Sequence, residues 1–159
     1  MVPFTAHTVT QADWNFSLSK AVTTRPLVNK NPGNLRSSSL ANAQRLYGAA
    51  NVIGLDDQGH VQFATWAAGL SAVRQDVRVK VSGRSFTRLP ANPTILAFSA
   101  VYAEDPGHAA KLAALLHTKS MARIGIDVQE EAFLRALIRL EGGTDTWAAV
   151  EPLLRAGIT

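Results

Sequence analysis

Asn31-Pro32-Gly33-Asn34-Leu35-Arg36 is the least generic run in the chain. Proline pre-sets φ at about −65°, and glycine accepts positive φ without steric cost. Proline second and glycine third predict a type II turn with Gly33 at positive φ. Asn34-Leu35-Arg36 then leaves the turn as a short extended piece. Alone, such a turn marks a loop. Its meaning comes from what surrounds it.

Downstream, Ser37-Ser38-Ser39 is a polar linker, and Leu40 to Ala50 predicts a short helix with Leu40, Ala43, Leu46 and Tyr47 on one side. Asn51–Leu55, with Val52 and Ile53, and His60–Ala64, with Val61 and Phe63, are strand-like. Asp56-Asp57-Gln58-Gly59 joins them as a hairpin loop with Gly59 placed for positive φ. Thr65 can cap the next helix, whose stripe is Trp66, Leu70, Val73 and Val77, with Arg74, Asp76 and Arg78 outside it. Asn92-Pro93 predicts an N-cap and first helical position for a helix through Tyr102. A further helix is expected over about His108 to Ala122, stopped by Gly125. Asp127 with Glu130 resembles a capping box opening the last long helix, which buries Phe133, Leu134, Leu137 and Ile138 and ends at Gly142-Gly143. A short final helix runs from Trp147, interrupted at Pro152 and closed by Gly157.

Upstream, Met1 to Val28 has no sustained period. It is read as an irregular N-terminal arm over 1–28, leaving one globular domain over 29–159. Trp14 and Phe16, two apart, share one side of an extended segment and suit an arm anchored on another subunit or a lid over its own core.

The order of Asn31-Pro32-Gly33-Asn34-Leu35-Arg36, then Phe63-Ala64-Thr65-Trp66-Ala67-Ala68-Gly69-Leu70-Ser71-Ala72, resembles a family of tailed-phage and prophage virion proteins. Their signature is N-P-G-N-(I/L)-R followed by F-x-(S/T)-x-x-x-G-(I/L)-x-A. Leu140-Glu141-Gly142-Gly143 looks like the family's late Glu-Asn-Gly or Glu-Gly-Gly segment, so the likeness covers roughly residues 28–158. The resemblance implies a virion-associated peptidoglycan-degrading protein of the lytic transglycosylase or muramidase type. It implies a small, mainly helical α+β, lysozyme-like domain with one β-hairpin, acting on the host cell wall or periplasm. A lysozyme-like chain usually places its glutamate helix before the hairpin; here the hairpin comes first.

Composition sets the outer limits. At 159 residues, 47% hydrophobic and 18% charged, the chain suits one folded domain rather than a disordered one. No apolar run approaches ~18 residues, so no membrane span is expected. The N-terminus lacks the pattern of a secretory signal, so delivery by a virion, holin or secretion machine is expected. Cysteine is absent, which excludes disulfides and thiolate metal sites. The net charge of +4 is uneven: +4 over residues 1–50, +2 over 51–100 and −2 over 101–159. A basic front half favours an anionic partner: cell-wall polymer, DNA or an acidic neighbouring subunit. Arg74, Arg78, Lys80, Arg84 and Arg88 form the densest basic stretch, a candidate face for weak DNA contact or simply a solvated one. Only Phe86 is interleaved for stacking.

Glu141 is the leading catalytic candidate. It falls four after Leu137, three after Ile138 and seven after Leu134, on their buried face. Partial burial and the negative end of a helix both favour the protonated acid that general acid catalysis uses. Alternatively it frays into solvent, or pairs with Arg139 or Arg36. A glycosidase normally needs a second carboxylate. Asp56 and Asp57 in the hairpin loop and the nearby Asp145 are candidates, although turn formation explains the first two equally well. A lytic transglycosylase works with one glutamate, because the sugar's own hydroxyl replaces water. Asn34 and Arg36 would then line the cleft, with Asp57 and Thr65 as further substrate-binding candidates. Structural roles compete: Asn34 in the turn, Arg36 paired to an acid. His7, His60, His108 and His117 lack metal-ligand spacing, and no P-loop, G-x-G-x-x-G or G-x-S-x-G occurs, so no cofactor is implied. The partners expected are peptidoglycan and, through the arm, other virion proteins in multiple copies. The alternative function is a non-enzymatic structural virion component, in capsid, tail or portal, using the same fold for assembly.

Overall fold

The computed structural model describes residues 24–157. Most of the expected arm, with Trp14 and Phe16, lies outside the described residues. So does Ile158. Within them lie six helices and one antiparallel hairpin: α1 (Arg25–Val28), α2 (Leu40–Tyr47), β1 (Val52–Leu55), β2 (Val61–Phe63), α3 (Trp66–Val81), α4 (Ile95–Tyr102), α5 (His108–Leu115) and α6 (Glu130–Arg155). This is a mainly helical α+β fold with one hairpin. No described helix is long and apolar enough to cross a membrane.

The arm ends earlier than expected. Arg25–Val28 is helical, with Pro26 buried at the helix start, where proline's fixed φ suits it. α1 packs against α6, and Arg25 ties it to the hairpin loop through Asp56 at 3.0 Å.

The Asn-Pro-Gly-Asn motif is a built turn, but of another kind. Gly33 does not take a positive φ; Asn34 does, at 51°. Asn31 organises the turn. It is fully buried, donates from Nδ2 to the Leu35 and Val61 carbonyls at 2.8 and 2.9 Å, and accepts the Leu35 N–H on Oδ1 at 2.8 Å. The extended piece then lies beside β2, with one isolated bridge from Arg36 to His60. Val61 N–H donates to the Leu35 carbonyl and Phe63 N–H to the Asn29 carbonyl, both at 2.9 Å. Glycine is needed at position 33 for closeness: a Cβ there would lie 2.2 Å from Val73 Cγ2. Gly69 on α3 serves the same contact, since a Cβ would meet the Lys30 carbonyl oxygen at 2.0 Å.

The hairpin pairs Leu55 with Val61 and Val52 with Phe63, and Gly59 takes a φ of 82° in the connecting loop. Thr65 caps α3 by accepting the Ala68 N–H at 3.1 Å. Leu70, Val73 and Val77 are buried as their spacing predicts. They meet Phe133, Leu134, Leu137 and Ile138, with α3 packed against α6. Phe98 from α4 closes the core edge-on to Phe133, ring centres 4.8 Å apart.

Three helix boundaries differ from expectation, for related reasons. α4 starts at Ile95 with Thr94, not Asn92, as its cap, because Pro93 and Thr94 pair with Arg123 and Ile124. α5 stops at Leu115, and His117 turns the chain at a φ of 50° so that residues 120–124 can reach back to α4. Asp127 therefore caps a tight turn, accepting the Arg123 N–H at 2.8 Å, and α6 begins after Gln129 without a side-chain cap. The expected break in α6 occurs at Gly143 (φ 68°, ψ −168°). The helix then resumes and runs through Pro152.

Candidate functional site

A cleft of about 720 Å³ opens where the motif turn, α3, α4, α5 and the last turn of α6 before Gly143 converge. Asn34, Arg36 and Glu141 all line it. Asp57 and Thr65 do not. Asp57 is 84% exposed at the hairpin tip, 3.8 Å from Arg25, and the Thr65 hydroxyl is used as a helix cap.

Glu141 stays in the cleft, with only 15% of its side chain exposed. Neither partner considered for it is used. Arg139 stacks on Trp147, 4.1 Å from the ring centre, and Arg36 meets Glu104 at 3.3 Å. Instead Glu141 Oε1 lies 2.9 Å from His108 Nε2, and His108 Nδ1 lies 2.9 Å from Ser99 Oγ. Ser99 and His108 are both buried. This chain of three side chains fixes one carboxyl oxygen. Glu141 Oε2 makes no hydrogen bond among the described residues. Ser99 is sealed behind the imidazole in mid-α4, so it orients His108 and does not act as a nucleophile.

The structure supplies a second carboxylate that sequence reasoning placed on the outer face of α3. Asp76 lines the cleft with 18% of its side chain exposed and is ion-paired to Lys80. Its Oδ2 is buried without a partner among the described residues, and so is Asn34 Oδ1. Asp76 flanks the buried stripe, three after Val73, and the Asp76–Lys80 spacing of four was the available signal. The other candidates stay outside: Asp145 is exposed, and Asp56 builds the hairpin loop. Asp56 accepts the Gln58 and His60 N–H groups and the Asn29 amide, each at 2.9 Å.

Tyr102 lines the cleft. Its ring stacks on Phe98 and on His108, with centres 5.1 and 5.9 Å away, and Lys80 Nζ lies 5.6 Å from its centre. Burial, reinforced by the negative charges of Asp76 and Glu141, pushes the Tyr102 hydroxyl well above its ordinary value. It therefore stays protonated near neutral pH and donates its hydrogen bond to the Gly33 carbonyl. Burial, then Asp76, also pushes up the hydroxyl of Tyr47, which lines the same cleft.

The basic stretch on α3 is divided. Arg74 and Arg78 pair with Glu131 and Glu130 at 3.3 and 3.4 Å, and Lys80 turns into the cleft. Arg84 and Arg88, beside an exposed Phe86, are what remains without an ion pair among the described residues, a small footprint for nucleic acid. No cluster of three or more His, Asp or Glu side chains among the described residues is placed to hold a metal ion.

Fold and site together define a small α+β domain with a polar, carboxylate-bearing cleft beside its hairpin. No protein-family model matches the chain, and neither does any curated protein.

Proposed function

We propose that this protein is a virion-associated enzyme that cleaves the glycan strands of peptidoglycan, with Glu141 as the proton donor. The observation that supports it best is the Glu141–His108–Ser99 chain. It holds a mostly buried carboxyl at the end of a helical segment, with one oxygen fixed, among the residues that line a cleft of about 720 Å³. Resemblance of the Asn31–Arg36 motif to phage virion proteins points the same way.

In this mechanism Glu141 gives its proton to the glycosidic oxygen as the bond to the anomeric carbon breaks, and a hydroxyl, of water or of the sugar itself, attacks that carbon. Arg36, with its side chain about half exposed and held among the described residues by Glu104 and the Gln58 carbonyl, suits the carboxylates of stem peptides at the rim. Other virion proteins remain the proposed partners of the N-terminal residues. The lysozyme-like fold and the site of action in the host cell wall belong to the same proposal.

A non-enzymatic virion component is the second reading, favoured by the hairpin preceding the glutamate helix along the chain. Incubation of purified Gram-negative sacculi with the full-length protein separates the two. Release of soluble muropeptides, identified by mass spectrometry, supports the enzyme; binding without release supports the structural role.

A further inference from the structure

We infer that Asp76 is the second carboxylate of this cleft and that the glycan is cut by water rather than by the sugar's own hydroxyl. This rests on the glycan-cleaving function proposed above and specifies its chemistry.

Three observations converge. Asp76 on α3 and Glu141 on α6 line the same cleft from different helices, and Tyr102 lines it as well. Lys80 holds one oxygen of Asp76, whereas Oδ2 is buried and has no partner among the described residues. A buried carboxylate oxygen without a partner calls for a donor, and beside a polar cleft a single enclosed water can supply it. Asn34 Oδ1 is the other buried acceptor without a partner in the cleft. It suits an amide N–H, such as that of an N-acetylated amino sugar.

The two acids differ in their neighbours. Asp76 is ion-paired to Lys80 and Glu141 is hydrogen-bonded to His108. With Glu141 as the donor of the proposed function, Asp76 takes the part of the proton acceptor. Water on Asp76 Oδ2 loses a proton to that oxygen as its own oxygen bonds to the anomeric carbon. The bond from that carbon to the glycosidic oxygen breaks, and the Glu141 proton goes to the leaving oxygen. One water is consumed, and the proton on Asp76 returns through solvent to Glu141.

The test is digestion of sacculi in water enriched in heavy oxygen by the wild type, Asp76→Asn and Glu141→Gln. The expected wild-type products are reducing ends carrying one heavy oxygen. Asp76→Asn should lower kcat by about 100-fold or more while still binding sacculi. Anhydro-sugar ends from the wild type, or an unimpaired Asp76→Asn, overturn the inference while leaving glycan cleavage intact. No product from the wild type overturns glycan cleavage itself. If Asp76→Asn does not fold, Asp76→Asn/Lys80→Gln, which leaves no unmatched charge, takes its place. If neither folds, the wild-type product ends alone decide.

Discussion

Tyr102 donates its hydroxyl hydrogen bond to the carbonyl oxygen of Gly33, joining the end of α4 to the motif turn across 69 residues of sequence. The same ring stacks on the imidazole that holds Glu141 and lies beneath the ammonium that holds Asp76. One side chain thus connects the turn to both carboxylates. The motif turn is a wall of the cleft, and its position is set by contact with α3 and α4.

Gly33→Ala should be destabilising. The added methyl has no room beside Val73, so either the turn or α3 must shift, at a cost of about 1–3 kcal/mol. Urea denaturation measures it. Combining it with Val73→Ala should recover part of the loss; strictly additive losses would show that the Val73 contact is not the cause.

The chain has two tyrosines, and both hydroxyls are pushed up by burial and neighbouring carboxylates. A raised folded-state value means this contribution to stability is complete below the unfolded tyrosine value of about 10. It is lost as pH rises from there through the folded values. Near-ultraviolet tyrosinate absorbance should stay flat through pH ~10 in the native protein and rise only as the fold opens. Ordinary titration of either tyrosine near that pH would place its hydroxyl in solvent.

Asp56 behaves in the opposite sense. Burial opposes its charge, but hydrogen bonds from the His60 N–H, the Asn29 amide, the Gln58 N–H and the His60 ring outweigh that and hold its carboxyl well below the usual range. Its contribution is present above the unfolded value of about 3.9 and is lost as pH falls below it. The stability gap between wild type and Asp56→Asn should therefore shrink on acidification through about pH 4. A gap independent of pH would contradict the assignment.

What was legible in the sequence followed local chemistry. Gly59 in the hairpin loop, Thr65 as a cap and the Leu70–Val73–Val77 stripe are dictated within a few residues of themselves, and each is where its spacing puts it. Glu141 was legible for the same reason, through its offset from Leu134, Leu137 and Ile138. The rest depends on contacts distant in the chain. Asn92 loses its cap because Thr94 pairs with Arg123, and α5 ends early for the same pairing. Asp76 looked solvent-facing because it borders the stripe; only the placement of α4 and the motif turn encloses it. His108 carried no signal, since Ser99 and Glu141 come from two other helices.

In the proposed mechanism His108, 2.9 Å from Glu141, positions that carboxyl and does not itself react. His108→Gln should lower kcat by about 100-fold through misplacement of the carboxyl, with KM nearly unchanged. Ser99→Ala should do the same more weakly. A rise in KM at constant kcat would mean that the imidazole binds substrate instead.

The most direct measurement is muropeptide release from purified sacculi by wild type and Glu141→Gln at equal concentration, with folding checked by circular dichroism. The account predicts release by the wild type and essentially none by Glu141→Gln, both folded and both bound to sacculi. Equal release by the two proteins, or none by either, would contradict it.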